Sequence, residues 1–112
     1  ILATKLCAIL ERSKGRDFYD IIELVKTARP SLEYLSKRLE FGRLKRKYSG
    51  PETYLDLIRP VLEKTDWKDK TREIEKFLFD PGESEKVRLF PAYATDETIA
   101  QWLRPDFENK PS

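Results

Sequence analysis

Sixteen consecutive residues hold the densest set of chemically able side chains in this 112-residue sequence: Lys5-Leu6-Cys7-Ala8-Ile9-Leu10-Glu11-Arg12-Ser13-Lys14-Gly15-Arg16-Asp17-Phe18-Tyr19-Asp20. Lys5 and Arg12 are seven apart, so on a helix they project from one face, about 10 Å apart along its axis. Asp17 and Asp20 are three apart and share a face of the next helix. A tight turn between the two helices would let two basic and two acidic side chains converge on one cleft. Phosphoryl chemistry calls for such a set. An ammonium acts as a point charge on a phosphate, and a guanidinium can grip phosphate oxygens bidentately. A carboxylate can hold Mg²⁺, or orient or deprotonate an attacking hydroxyl. A plain salt bridge on a hairpin, Arg12 to Asp17 or Arg16 to Asp20, uses the same residues without chemistry, and spacing alone does not separate the two readings.

The elements that must position these groups read as helices. Ile1 to Ser13 places Leu2, Leu6, Ile9 and Leu10 on one buried stripe. Ser13-Lys14-Gly15 breaks it, with Gly15 the residue free to turn left-handed. A second helix starts at Arg16 or Asp17 and runs to about Ala28, with Phe18, Ile21, Ile22 and Val25 as its apolar face. The short connection folds the two into an αα-hairpin. Arg29-Pro30-Ser31 caps a third helix with core positions Leu32, Leu35 and Leu39, ending in the basic run Arg43 to Lys47. Ser49 and Glu52 are spaced as a capping box for a fourth, which Pro60 should kink or split. Asp66 caps a fifth, with Trp67, Ile74, Phe77 and Leu78 on one side. Glu83 to Ala94 is expected to be irregular, with an extended piece around Val87-Arg88-Leu89-Phe90. Thr95-Asp96 opens a last short helix. The fold class expected is all-α, an irregular bundle of five to six helices beginning with a tight αα-hairpin, over residues 1–104, with 105–112 a flexible tail.

Composition narrows the chemistry. Histidine is absent and Cys7 is the one cysteine, which excludes a structural zinc site and a Ser-His or Cys-His nucleophile, and makes a reducing, cytoplasmic setting the expectation. Cys7 itself reads as a small core residue. Charged residues make up 38% and hydrophobic residues 39%, yet Leu, Ile, Val and aromatic residues recur throughout, so a packed core rather than disorder is expected. No stretch is long and apolar enough to cross a bilayer, no signal peptide is visible, and no membrane partner is expected. Methionine is absent and Ile1 to Leu6 reads as helix interior, so we expect a piece of a longer protein. The charge is uneven: residues 1–47 hold twelve Lys and Arg against six Asp and Glu, whereas 48–112 hold ten against fourteen. A basic first part suggests an anionic neighbour such as nucleotide or RNA.

The segment Lys5-Leu6-Cys7-Ala8-Ile9-Leu10-Glu11-Arg12 followed by Arg16-Asp17-Phe18-Tyr19-Asp20 resembles the third and fourth motifs of the AbiEii/AbiGii toxin nucleotidyltransferases, with seven fixed positions over sixteen residues. That family belongs to the DNA polymerase β-like nucleotidyltransferase superfamily. Its N-terminal α/β half binds nucleotide and Mg²⁺ through a Gly-Ser loop and an Asp-x-Asp pair, and its helical C-terminal half lends a Lys and an Asp. The resemblance implies that this chain is the C-terminal part. Lys5 would contact nucleotide phosphates and Asp17 would be the catalytic carboxylate. Arg12 and Arg16 would support phosphate or orient Asp17, with Asp20 in support behind them. An NTP substrate and Mg²⁺ are implied for the intact enzyme, with none bound to this piece alone and no metal ligands in it. The implied partners are the N-terminal half, tRNA or another RNA, and an antitoxin protein. Neither the Gly-Ser loop nor the Asp-x-Asp pair precedes Lys5, so this chain alone is expected not to transfer nucleotides.

Elsewhere, Arg43, Lys45, Arg46 and Lys47 could touch an RNA backbone, with Tyr48 stacking on a base; a solvated helix end accounts for them equally. Trp67, Phe77, Phe79, Phe90 and Trp102 read as core, and Trp102 and Phe107 would mark a partner surface if exposed. A stand-alone helical module binding RNA or protein is the alternative to the transferase part; it expects a closed core around Leu2 and Leu6. A purely structural domain expects Arg16 and Asp20 paired away from Lys5.

Overall fold

The computed structural model describes residues 1–78 and 80–104, whose regular elements are all helices. The apolar spacing of the first segment forms α1 (Leu2–Glu11), with Leu2, Ala3, Leu6, Cys7, Ala8 and Ile9 buried. α2 (Gly15–Leu24) returns beside it and buries Phe18, Ile21 and Ile22. α3 (Leu32–Phe41) follows, its first turn capped by the Ser31 hydroxyl, which accepts from the Tyr34 amide. α1 lies centrally, against α2, α3 and α4 (Pro51–Lys64). The buried Tyr54 hydroxyl ties α4 to it, donating to the Leu6 carbonyl at 2.7 Å. α5 (Trp67–Glu75), capped by Asp66, packs on α2. α6 (Glu85–Arg88), α7 (Phe90–Tyr93) and α8 (Asp96–Trp102) close the other side, α8 resting on α4.

The all-α class and the opening hairpin are as expected; the helix count is eight among the described residues rather than five to six. The difference lies in Glu83 to Ala94. That stretch winds into a 3₁₀ turn (Pro81–Ser84), α6 and α7 instead of an extended piece. Val87 and Phe90 are both fully buried, and their three-residue spacing puts them on one side of a helical path. Pro91, with no N–H to continue the ladder, divides α6 from α7.

Four local expectations are corrected. The left-handed residue of the α1–α2 turn is Ser13, at φ 50, and Gly15 is the first residue of α2. Ser49 caps nothing: Pro51 fixes the first turn of α4, Gly50 is the cap at φ 153, and the Ser49 amide donates to the Thr53 hydroxyl at 3.1 Å. Pro60 does not split α4, because it lies on the exposed side, where the carbonyl it leaves unbonded can face water. The run Arg43 to Lys47 is not a helix end: α3 stops at Phe41, and the run forms an irregular strap with Lys45 at φ 51. Half-buried Leu44 and Tyr48 pin this strap to the core, and the Arg46 amide bonds the Leu39 carbonyl at 2.7 Å. No helix among the described residues is long and apolar enough to cross a membrane. Phe79, Phe107 and the expected tail at 105–112 lie outside the described residues.

Candidate functional site

The hairpin expected from the Ser13-Lys14-Gly15 break brings the end of α1 beside the start of α2, and four of the five motif side chains meet there. Asp17, on the first turn of α2, is only 1% exposed. Arg12 grips it with a fork, Nε donating to Oδ2 at 2.9 Å and Nη2 to Oδ1 at 3.0 Å. Lys5 Nζ donates to the same Oδ1 at 3.2 Å and lies 2.8 Å from Oδ2 of Asp20. The seven-residue spacing of Lys5 and Arg12 therefore delivers both cations to one carboxylate. Their own side chains remain 20% and 53% exposed, so each keeps a route to solvent. Arg16 stays exposed and makes no ion pair with any described residue; Asp20 pairs with Lys5 and not with Arg16. Of the two pairs a plain hairpin salt bridge would use, Arg12–Asp17 is formed and Arg16–Asp20 is not.

The electrostatics define what this cluster can do. Burial pushes the Asp17 carboxyl up, but the bonds from Arg12 and Lys5 outweigh it and hold it below the usual carboxylate range. The Asp20 bond holds the Lys5 ammonium above its ordinary value, against burial and with help from Asp17. The Asp17 bond does the same for Arg12. A carboxylate with a lowered pKa is a poor proton acceptor, and an ammonium with a raised one is a poor nucleophile. Asp17 is thus held ionised between two cations and holds both of them in place. Both Asp17 oxygens are taken by Arg12 and Lys5, and Asp20 gives one oxygen to Lys5, which leaves Asp20 Oδ1 as the one carboxylate oxygen of this pair without a side-chain partner among the described residues. Among the described residues no group of three or more His, Cys, Asp or Glu gathers.

Beside Asp17 a hollow of about 440 Å³ opens between the α1–α2 turn and the end of α5, lined by Arg12, Lys14, Arg16, Asp17, Glu73, Lys76 and Phe77. Its floor is tight. Glu73 of α5 accepts from the Gly15 amide at 3.1 Å and from Lys70 Nζ at 3.0 Å. A Cβ on Gly15 would stand 2.4 Å from the Lys70 carbonyl oxygen. Gly15→Ala should therefore part α2 from α5 and destabilise by roughly 2 kcal/mol, although alanine is the better helix former. Urea denaturation reads this directly, and an unchanged or higher midpoint would discard the close approach.

Several residues here escape the sequence. Glu73 and Lys76 carry no motif, and Phe77, expected in the core, is 71% exposed. Glu11 and Arg38 form a second clip, at 3.0 and 3.3 Å, that holds α1 to α3. The four strap cations Arg43, Lys45, Arg46 and Lys47 are all exposed and make no ion pair with described residues, but they do not line the hollow. Leu2 and Leu6 are buried within this chain, the closed core that a stand-alone module expects around them. Cys7 is fully buried, its thiol pushed up to about 11 by burial, consistent with a core role. Trp102 is buried as well.

Compared with known proteins, residues 1–109 match the family model described as nucleotidyl transferase AbiEii toxin, type IV TA system. No curated protein and no solved structure matches.

Proposed function

Because the chain belongs to the AbiEii nucleotidyl transferase toxin family, we propose that its opening hairpin is the phosphate-gripping wall of a nucleotide-transferring toxin. In that reaction an acceptor hydroxyl attacks the α-phosphorus of an NTP and gives up its proton to solvent, a P–O bond forms, the bond to the β-phosphate breaks, and pyrophosphate leaves with its negative charge. Lys5 meets that charge as a fixed ammonium. Arg12, the more exposed of the two, keeps its Nε and Nη2 bonds to Asp17 and offers Nη1 to phosphate oxygens, and Arg16 adds a third cation from the first turn of α2. Asp17 acts through them as a positioning residue, and Asp20 steadies Lys5 from its far side. The carboxylates that hold Mg²⁺ and the groups that hold the base are supplied by another module. The acceptor is RNA, a tRNA 3′ end among the choices, with the strap Arg43, Lys45, Arg46 and Lys47 on its backbone. An antitoxin protein is the regulating partner, in keeping with the family's description.

The observation that carries this reading is a single buried carboxylate aiming two cations that both retain access to solvent. A stand-alone binding module has no use for Asp17 at that cost in desolvation. The test is incorporation of labelled NTP into RNA by the protein joined to an upstream nucleotide-binding half. Lys5→Gln, which keeps length and loses charge, should lower the rate about a hundredfold, as loss of one preorganised electrostatic contact does elsewhere. Unchanged incorporation would remove Lys5 from the reaction.

A further inference from the structure

The hollow beside Asp17 holds more than a transferred phosphate requires. Arg12 is engaged by Asp17, and Glu73 by the Gly15 amide and Lys70. Lys14, Arg16 and Lys76 surround the same space, are exposed, and make no ion pair or hydrogen bond through their side chains with any described residue. Lys14 acts at a distance on Glu73, and none of the three is held in a contact that a ligand would have to break. At the rim stands Phe77, just past the end of α5 and 71% exposed. A phenyl ring left in water beside three unpaired cations forms no part of the packed core, whose aromatic cluster lies around Phe18, Trp67 and Phe90. The combination of a flat apolar face with separate cations along one edge matches a nucleotide strand, which offers a base to stack and phosphates at intervals. The volume, about 440 Å³, suits a group of nucleotide size, since small-ligand sites run from roughly 300 to 1,000 Å³.

We propose that this hollow seats the end of a single-stranded RNA, with a base stacked on Phe77 and the flanking phosphates on Lys14, Arg16 and Lys76. The choice of RNA over DNA rests on the transferase reading, but the binding itself does not. The seat is lined by Asp17, which accepts from Lys5, but not by Lys5 itself. It is distinct from the strap at Arg43 to Lys47, which shares no lining residue with it.

The test measures binding by this chain, without any transfer step, using fluorescence anisotropy of a labelled single-stranded RNA decamer at several salt concentrations. The wild type should bind with affinity that falls as salt rises. Phe77→Ala should weaken binding roughly tenfold, the worth of one stacked base, and Phe77→Trp should restore it. Arg16→Glu and Lys76→Glu should weaken binding and flatten the salt dependence. The three side chains changed are exposed, so thermal melting should stay at the wild-type value and confirm that each variant is folded. Inorganic tripolyphosphate should bind Phe77→Ala as well as it binds the wild type. Three results would overturn the seat: RNA affinity unmoved by the Phe77 and Lys76 changes; loss of binding only in Lys45→Glu and Arg46→Glu, which would put the strand on the strap; or ATP that depends on Phe77 while RNA does not, which would make this a free-nucleotide site. None of these bears on the Lys5→Gln incorporation result, so the two readings fail separately.

Discussion

Asp17→Asn is expected to lower unfolding free energy by about 2–4 kcal/mol at neutral pH and nucleotide transfer by about a thousandfold. The substitution keeps the shape and removes the charge. The amide oxygen that replaces the carboxylate could still accept from Lys5 or Arg12, but two cations would then face one neutral group in a site that is 1% exposed. The stability loss is smaller than for a sealed ion triad because Lys5 and Arg12 can turn toward water. The activity loss exceeds that of Lys5→Gln because both cations lose the group that aims them. Acid unfolding separates this account from simple packing. The folded-state pKa of Asp17 is depressed, so its stabilisation is fully present above the unfolded-state value, about 3.9, and is lost as pH falls below that through the folded value. The wild type should therefore lose stability below about pH 4 more steeply than Asp17→Asn, and the two should converge in acid. Urea midpoints measured from pH 7 to pH 2 give the comparison. Parallel curves, or equal midpoints at pH 7, would end the claim that Asp17 holds the cluster by charge.

The cluster around Asp17 is legible in the sequence because it is local. Lys5, Arg12 and Asp17 sit within one helical hairpin, and helical spacing together with a three-residue break fixes which side chains can meet. The hollow is not legible, because its second wall comes from residues 73–77. The contact of Gly15 with Glu73 spans 58 positions, and no pattern in a single sequence specifies which carboxylate will meet a helix amide that far away. Phe77 shows the same limit from the other side. It falls on the Ile74 side of the α5 pattern, but the helix stops at Glu75 and the chain turns at Lys76, so helical periodicity no longer says which way its ring points. Glu83 to Ala94 misleads for a different reason. Its apolar residues all fall after Lys86, its first turn is 3₁₀, and Pro91 interrupts the ladder, so neither a period of two nor of 3.6 residues accumulates. The strap is a case of local signals in conflict. Gly42 ends the helix, and the cations that would suit a helix C-terminus instead lie on irregular backbone.

Phe18→Ala should be the most damaging core change, at about 3–5 kcal/mol. Phe18 follows Asp17 on α2 and is fully buried. Its ring meets Trp67 edge-on, with centroids 4.8 Å apart at 67°, and Phe90 likewise at 4.9 Å and 62°. Trp67 and Phe90 in turn stack on each other at 5.7 Å. Three elements, α2, α5 and α7, the last two through their first residues, thus meet on one ring. A cavity of that size cannot collapse without moving α5 relative to α2, which is the same relation that shapes the hollow and the Gly15–Glu73 contact. Against a total stability of roughly 5–15 kcal/mol for a domain, the alanine variant should be partly unfolded at physiological temperature. Phe18→Leu fills most of the space and should cost less, about 1–2 kcal/mol, leaving a folded protein in which the aromatic near-ultraviolet circular dichroism is diminished. If Phe18→Ala melts within a few degrees of the wild type, the aromatic cluster is not the joint between the two walls. The positions of Lys76 and Phe77 relative to Asp17 would then have to be fixed by the Glu73 clip alone.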